Sequence, residues 1–338
     1  MKVDTAILAD DPTQAGEAAH RLEDLGYDGV FSFEGPHDPF FPLVVAAGRT
    51  KRLTLATAVA IAFARSPMLL ANIGYDLQLL SKGRFILGLG SQIRPHIEKR
   101  FSMPWSRPAA RMRELVQAVR AIWRCWNEGE KLDFRGEFYQ HSLMTPFFNP
   151  GPNPHGDPAI YLAGVGPKMT EVAGEVADGF FVHPFNSAES VAKVTLPALD
   201  RGLARSGRSR ETLSIAHQVM VVTGWNDAEL EQARAGVRAQ IAFYGSTPAY
   251  RVVLEQHGWG ELQSELNGLS KRGQWAEMTA LIDDQMLETI AVCAAPEQVA
   301  AQVRLRCGDF ASRVSLVAPY AQGVSRWVGI TTELRSDG

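Results

Sequence analysis

Cysteine is scarce in this chain. Cys125, Cys293 and Cys307 stand far apart with no paired spacing. That usage excludes a disulfide framework and a cysteine-built zinc site, and it fits reduced thiols packed as small hydrophobes in a cytoplasmic protein. Charge of one sign is not in excess either, since 34 basic and 37 acidic residues leave a formal net charge of −3. Without a basic field, nucleic acid and anionic membrane surfaces make poor partners. No apolar run approaches a membrane span, and MKVDTAILADDPTQ lacks the apolar core of a signal peptide, so neither insertion nor export is expected. The histidines are scattered without metal-ligand spacing, and no metal is expected. A GxSxG elbow and a phosphate loop of the GxxxxGK[ST] type are both missing.

What is present is an ordinary globular composition, 46% hydrophobic and 21% charged over 338 residues, enough for two domains or one large α/β barrel. Short β-like runs alternate with helical stretches almost throughout. VDTAILA (3–9), GVFSFE (29–34), LTLATAVAIA (53–62) and RFILGLGS (84–91) are each followed by a helix-like segment, the longest from about Pro108 to Trp126. KLDFRGEFYQ (131–140) alternates around Arg135-Gly136 as a small hairpin would. AIYLAG, GFFVHP (179–184), LSIAHQVMVVT (213–223) and RVSLVAP (313–319) complete eight strands. About ninety residues separate the last two. Asn226 is a suitable N-cap for the helix DAELEQARAGVRAQ, and residues 245–285 read as a helical insertion. Runs buried on both faces and a count of eight favour a (β/α)8 TIM barrel forming a single domain over 1–338, with a doubly wound sheet as the alternative.

In a barrel the chemistry belongs to the C-terminal ends of the strands. Those ends carry Glu34, His37 and Asp38; Ala58 to Arg65; Ser91, Gln92, Arg94 and His96; Gly164 to Met169; and His183 with Asn186. Gly164-Val165-Gly166-Pro167-Lys168-Met169 passes from an apolar run straight into a helix, which suits an anion held on free helix amides with Lys168 adding charge. A tight βα turn with no ligand is the bland alternative. A dinucleotide-binding GxGxxG fails, because the third glycine falls at Met169. Gly88-Leu89-Gly90 also lacks a third glycine, with Ile93 in its place; small residues there let a flat ring approach, or only a helix. His37 and His183 are candidates for moving a proton, against the alternative of loop histidines bonded to backbone.

With the strand ends laid out, the chain resembles the bacterial luciferase-like superfamily, in particular its branch of oxidoreductases that use the deazaflavin coenzyme F420. The resemblance runs from about residue 3 to 320 and rests on LATAVAIAFARSPMLLA, SKGRFILGLGSQ, LAGVGPKMTEVAGEVADGFFVHP and APEQVAAQVRLRCGDFASRVSLVAP. It implies a TIM barrel with the coenzyme ring across the mouth, backed by a bulge with a cis peptide at Ala58–Val59, and with the coenzyme phosphate on Gly164–Lys168. Ala58, Val59, Gly90 and Ser91 would shape the ring site, Arg65 or Arg94 would meet the anionic tail, and Glu34, His37 and His183 would handle a proton or polarise substrate. It implies hydride transfer between F420 and a small organic substrate, in a homodimer or higher homo-oligomer. Relatives that use FMN make an FMN-dependent monooxygenase the alternative, and a non-catalytic binding barrel is a third. Two departures argue against transferring a sugar-phosphate activity: Glu34-Gly35 stands where many relatives have Asp-His, and Ile93 stands near the place of an acid.

Overall fold

A computed structural model of the chain describes residues 1–8, 11–320 and 323–336. The apolar runs form eight parallel strands: β1 Lys2–Ala6, β2 Gly29–Ser32, β3 Thr54–Thr57, β4 Phe85–Gly90, β5 Ala159–Ala163, β6 Gly179–Val182, β7 Ser214–Val222 and β8 Arg313–Val317. The sheet closes, with Phe181 of β6 opposite Ala216 of β7, Val219 opposite Leu316 of β8, and Val314 opposite Val3 of β1. Closure rules out the doubly wound alternative; the fold is a (β/α)8 barrel, with Val292–Cys293 added parallel to the end of β7. The strand expected over 3–9 is confined to Lys2–Ala6, and Ala9 lies outside the described residues.

The run over 53–62 is two pieces, not one. After β3, the Ala58–Val59 peptide is cis, and Ala60–Ile61 rejoins the sheet opposite Leu89 and Gly90 of β4. Thr57 bridges the break with its side chain. Its Oγ1 accepts from the Gly88 N–H at 2.9 Å and donates to the Gly88 carbonyl at 2.7 Å. The backbones are so close that a Cβ on Gly88 would stand 1.7 Å from the Thr57 carbonyl oxygen, so only glycine fits.

Ala56, Ile86, Tyr161 and Ala216 fill the barrel with Phe31 and Phe181, the inward-facing half of each strand's alternation. Asp4 of β1 and Arg313 of β8 form a buried bidentate pair, at 2.6 and 2.7 Å, across the last seam to close. The outward-facing half packs under helices α1 Ala15–Asp24, α2 Phe40–Arg49, α3 Pro67–Leu80, α4 Pro108–Glu128, α5 Pro167–Val176 and α6 Leu196–Ser206. Proline opens α3, α4 and α5, where its missing N–H costs nothing. The expected hairpin is reduced to Phe134–Arg135 against Gln140–His141 and is pinned by Glu114 of α4, which accepts the N–H groups of Glu137, Phe138 and Tyr139.

Past β7 the chain makes its helical insertion. Asn226 caps α7 Asp227–Gly245 by accepting the Glu229 N–H at 2.9 Å. Four short helices follow: α8 Arg251–Glu255, α9 Leu262–Lys271, α10 Trp275–Ala280 and α11 Asp284–Ile290. Their apolar sides make a separate core of Val237, Ile241, Leu254, Leu266, Met278 and Leu287, which Phe185 and Met220 join to the barrel. Helix α12 Pro296–Cys307 leads to β8, and α13 Val328–Arg335 ends the described fold.

Candidate active site

The C-terminal strand ends surround one cavity of about 1350 Å³. Glu34, Ala58, Val59, Gly90, Ser91, Gly164, Val165, Gly166, Pro167, Lys168, Met169 and His183 all line it. His37 does not: it lies on the exposed loop before α2.

The turn after β5 opens a helix N-terminus onto the cavity. Gly166 is the N-cap of α5 in extended conformation, and Pro167 is its first residue, so the next amides have no intrahelical acceptor. The two glycines differ in what holds them. A Cβ on Gly164 would come within 2.8 Å of the Met169 side chain, whereas a Cβ on Gly166 would meet nothing within 4 Å. Gly164 is therefore required by packing, while Gly166 leaves space in front of a helix N-terminus. Lys168 stands at the edge of that space with no ion-pair partner among the described residues. Arg94 and Arg107 also line the cavity, but Arg94 is bonded to Glu98 at 2.9 Å and Arg107 to Glu137.

Across the mouth, the bulge after β3 is braced by charge. Glu34 Oε2 accepts from the Ile61 N–H and from Arg65 Nη1, each at 2.7 Å, and the Glu34 N–H donates to the Val59 carbonyl at 3.2 Å. Arg65 Nη2 reaches Asp38 at 2.8 Å, and the guanidinium lies over the Phe40 ring. Arg65 is thus satisfied by two carboxylates and does not line the cavity. Val59 rests on the end of β4, where a Cβ on Gly90 would collide with its Cγ2 at 2.7 Å. The bulge and Gly90 together give that side of the cavity a small-residue, apolar shelf. Ile93, near the place of the relatives' acid, lines the cavity as well.

His183 stands past β6, and Phe185 N–H donates to its Nδ1 at 3.1 Å. That bond leaves the ring proton on Nε2. Burial pushes the imidazole down to about 3, so it is neutral near pH 7. Its neighbours Tyr244 and Tyr250 each lie 4.7 Å away, centroid to centroid, and burial raises both phenols, Tyr250 to about 12. The tyrosines carry no periodic signal in the polar insertion and are missed from sequence. Gln218 is missed too, although it points the same way along β7 as Ala216, inside the barrel, and that alternation could have found it.

Known proteins are similar to this chain in sequence and in fold. A profile described as luciferase-like monooxygenase matches residues 2–308. An uncharacterized protein of Mycobacterium tuberculosis is 56% identical over 301 residues, 89% of this chain and 88% of its own. A 5,10-methylenetetrahydromethanopterin reductase of Archaeoglobus fulgidus is 29% identical over 288 residues, 82% of this chain and 81% of its own. The solved structure of a coenzyme F420-dependent tetrahydromethanopterin reductase from Methanopyrus kandleri has the same fold, with a TM-score of 0.80 at 20% identity and 98% of both chains covered. The matched span runs from β1 through α12 and takes in seven of the eight strand ends around the cavity: the chain belongs to the luciferase-like monooxygenase family.

Proposed function

We propose that the chain is an oxidoreductase that binds coenzyme F420 across the barrel mouth and exchanges a hydride between it and a small organic substrate. The observation that carries this is the pairing, in one cavity, of a small-residue, apolar shelf at Ala58, Val59 and Gly90 with an open helix N-terminus at Gly166–Lys168. A planar ring with a phosphate-bearing tail fits both at once. When bound, the deazaflavin supplies the two-electron chemistry. The chain's own part is to bind and orient. Gly166, Lys168 and the first amides of α5 would hold the phosphate, Val59 and Gly90 would back the ring, and Glu34 with Arg65 keeps that backing in place. His183 presents an Nε2–H to the cavity as a hydrogen-bond donor, and the apolar walls exclude water. The similarity to reductases, one of them F420-dependent by name, supports the same reading.

The family's own description favours a second reading, an FMN-dependent monooxygenase. Titration of the purified, coenzyme-free chain with F420 and separately with FMN, followed by ligand fluorescence, separates the two. Saturable F420 binding that is weakened tenfold or more by Lys168→Ala is expected. Tight FMN binding with none of F420 would overturn the first reading, and binding of neither would favour a non-catalytic barrel. A cytoplasmic location and a homo-oligomeric state belong to the same proposal. Three free cysteines support the first, and an exposed apolar helical face, taken up below, supports the second.

A further inference from the structure

The wall around His183 is assembled from three parts of the chain. His183 follows β6, Tyr244 sits in the last turn of α7, and Tyr250 ends the short turn Pro248–Tyr250. Their rings pack edge-on and tilted against one another, and Phe185 backs both tyrosines at 6.2 Å. Such contacts make a rigid apolar surface with π faces. His183 is locked within it: Phe185 N–H occupies Nδ1, and the His183 carbonyl accepts from Asn186. Asn186 is held in turn by the His217 ring and, at its carbonyl, by Arg306. The His183 Nε2–H has no acceptor among the described residues. Gln218 follows His217, the last residue of β7 paired with β6, so it lies beside His183, and its amide also makes no hydrogen bond there. Adjacent strand ends therefore bring to the foot of an aromatic wall two polar side chains, His183 held and Gln218 free to turn, without hydrogen-bond partners for these groups among the described residues.

Charge narrows what could meet them. Of the ionisable groups lining the cavity, Asp4 is bound to Arg313, Glu34 to Arg65, Arg94 to Glu98 and Arg107 to Glu137. Among the described residues Lys168 is the one charged lining side chain with no ion pair, and it stands on the β5 turn assigned to the coenzyme phosphate. An ionic substrate against the aromatic wall would lose its hydration and gain no counter-ion, which is costly. We infer that His183, Gln218, Tyr244 and Tyr250 form a subsite for an uncharged aromatic compound bearing a hydrogen-bond-accepting oxygen. The oxygen meets the His183 Nε2–H and the Gln218 amide, and the ring lies on the tyrosines. The neutrality of His183 fits a donor role that needs no protonation. This names the substrate class of the reading above and rests on that reading.

The test is calorimetric binding of acetophenone to the full chain, with and without F420, beside cyclohexyl methyl ketone, benzoate and glucose 6-phosphate. Acetophenone is expected to bind at least tenfold more tightly than the saturated ketone or either anion. His183→Ala should weaken acetophenone about tenfold, the worth of one good hydrogen bond, and His183→Gln should restore most of that loss by supplying another N–H. Tyr250→Leu should weaken acetophenone while leaving the saturated ketone unchanged. Tighter binding of benzoate or glucose 6-phosphate, no acetophenone binding by either form of the wild-type chain, or no effect of His183→Ala would each overturn the subsite. The wild-type ligand series decides the matter even where a variant fails to fold. If F420 does not bind but acetophenone does, the coenzyme assignment falls and the subsite stands; the reverse result removes the subsite alone.

Discussion

Gly88 and Gly166 look alike in the sequence, each the member of a glycine pair at a strand end, yet the structure demands opposite things of them. At Gly88 the protein itself fills the space a Cβ would need, so Gly88→Ala should destabilise the fold by about 3 kcal/mol or prevent folding, read from urea unfolding. At Gly166 the space is open and φ is −84°, which any residue adopts, so Gly166→Val should fold normally while losing F420 affinity. An unfolded Gly166→Val, or one that binds coenzyme as wild type does, would contradict this account of the turn. Histidine gives a second test at the same scale. His217 is buried with Nδ1 unpartnered, and burial, aided by the Arg306 charge, pushes it down to about 3. The unfolded chain takes up that proton near pH 6.5, whereas the folded one refuses it until about pH 3. Stability from the neutral ring is therefore full above 6.5 and is lost as pH falls toward 3, by about 1.4 kcal/mol per pH unit for a single site. Urea midpoints measured between pH 6.5 and 5, above the carboxylate range, should fall in the wild type and fall less in His217→Gln. Equal slopes would show that His217 is not the cause.

At the scale of elements, the Arg65 brace decides whether the shelf after β3 holds its shape. Glu34 is 7% exposed and has Arg65 as its cation, so Arg65→Met leaves a buried carboxylate with only a backbone partner. A loss of about 3 kcal/mol is expected, together with weaker F420 binding, and Glu34→Gln in the same background should recover part of the stability because the unpaired charge is gone. No recovery in the double variant would mean that the brace acts through shape alone. The sequence carries this element unevenly. LTLATAVAIA reads as one strand from its apolar run, and nothing in the composition marks the break after Thr57; the resemblance, not the periodicity, points to Ala58–Val59. The strand ends and the β5 turn are legible because apolar runs and glycine punctuation are local signals. Tyr244 and Tyr250 are not legible, because they reach the cavity through the packing of the insertion against Phe185 and Met220, a contact no local pattern encodes. His37 shows the converse: a residue of the right chemistry beside a strand end, carried by its loop into solvent.

At the scale of the whole molecule, the outer surface is uneven in a way the barrel itself does not require. Phe41, Val44 and Val45 share one face of α2 by their spacing, and Leu69 and Leu80 lie eleven residues apart on one face of α3; all are substantially exposed, Phe41 at 67%. The two helices pack against each other on the outside of the barrel. Scattered exposed hydrophobes are ordinary, but we propose that these stripes on adjoining helices form an association surface. A second copy of the chain meets it most simply, since a two-fold axis sets the same stripe against itself. Light scattering behind size exclusion should therefore find a dimer at micromolar concentration. Phe41→Glu, alone or with Leu69→Glu, should shift it to monomer with the helical circular dichroism unchanged. Leu305→Glu, at an exposed leucine on α12, should leave the dimer intact. A monomeric wild type would remove the assignment. A dimer that survives both α2 and α3 substitutions would move the interface elsewhere. None of Phe41, Val44, Val45, Leu69 and Leu80 lines the cavity, so the monomeric variant should still bind F420, and loss of coenzyme with loss of the dimer would show that the partner subunit completes the site.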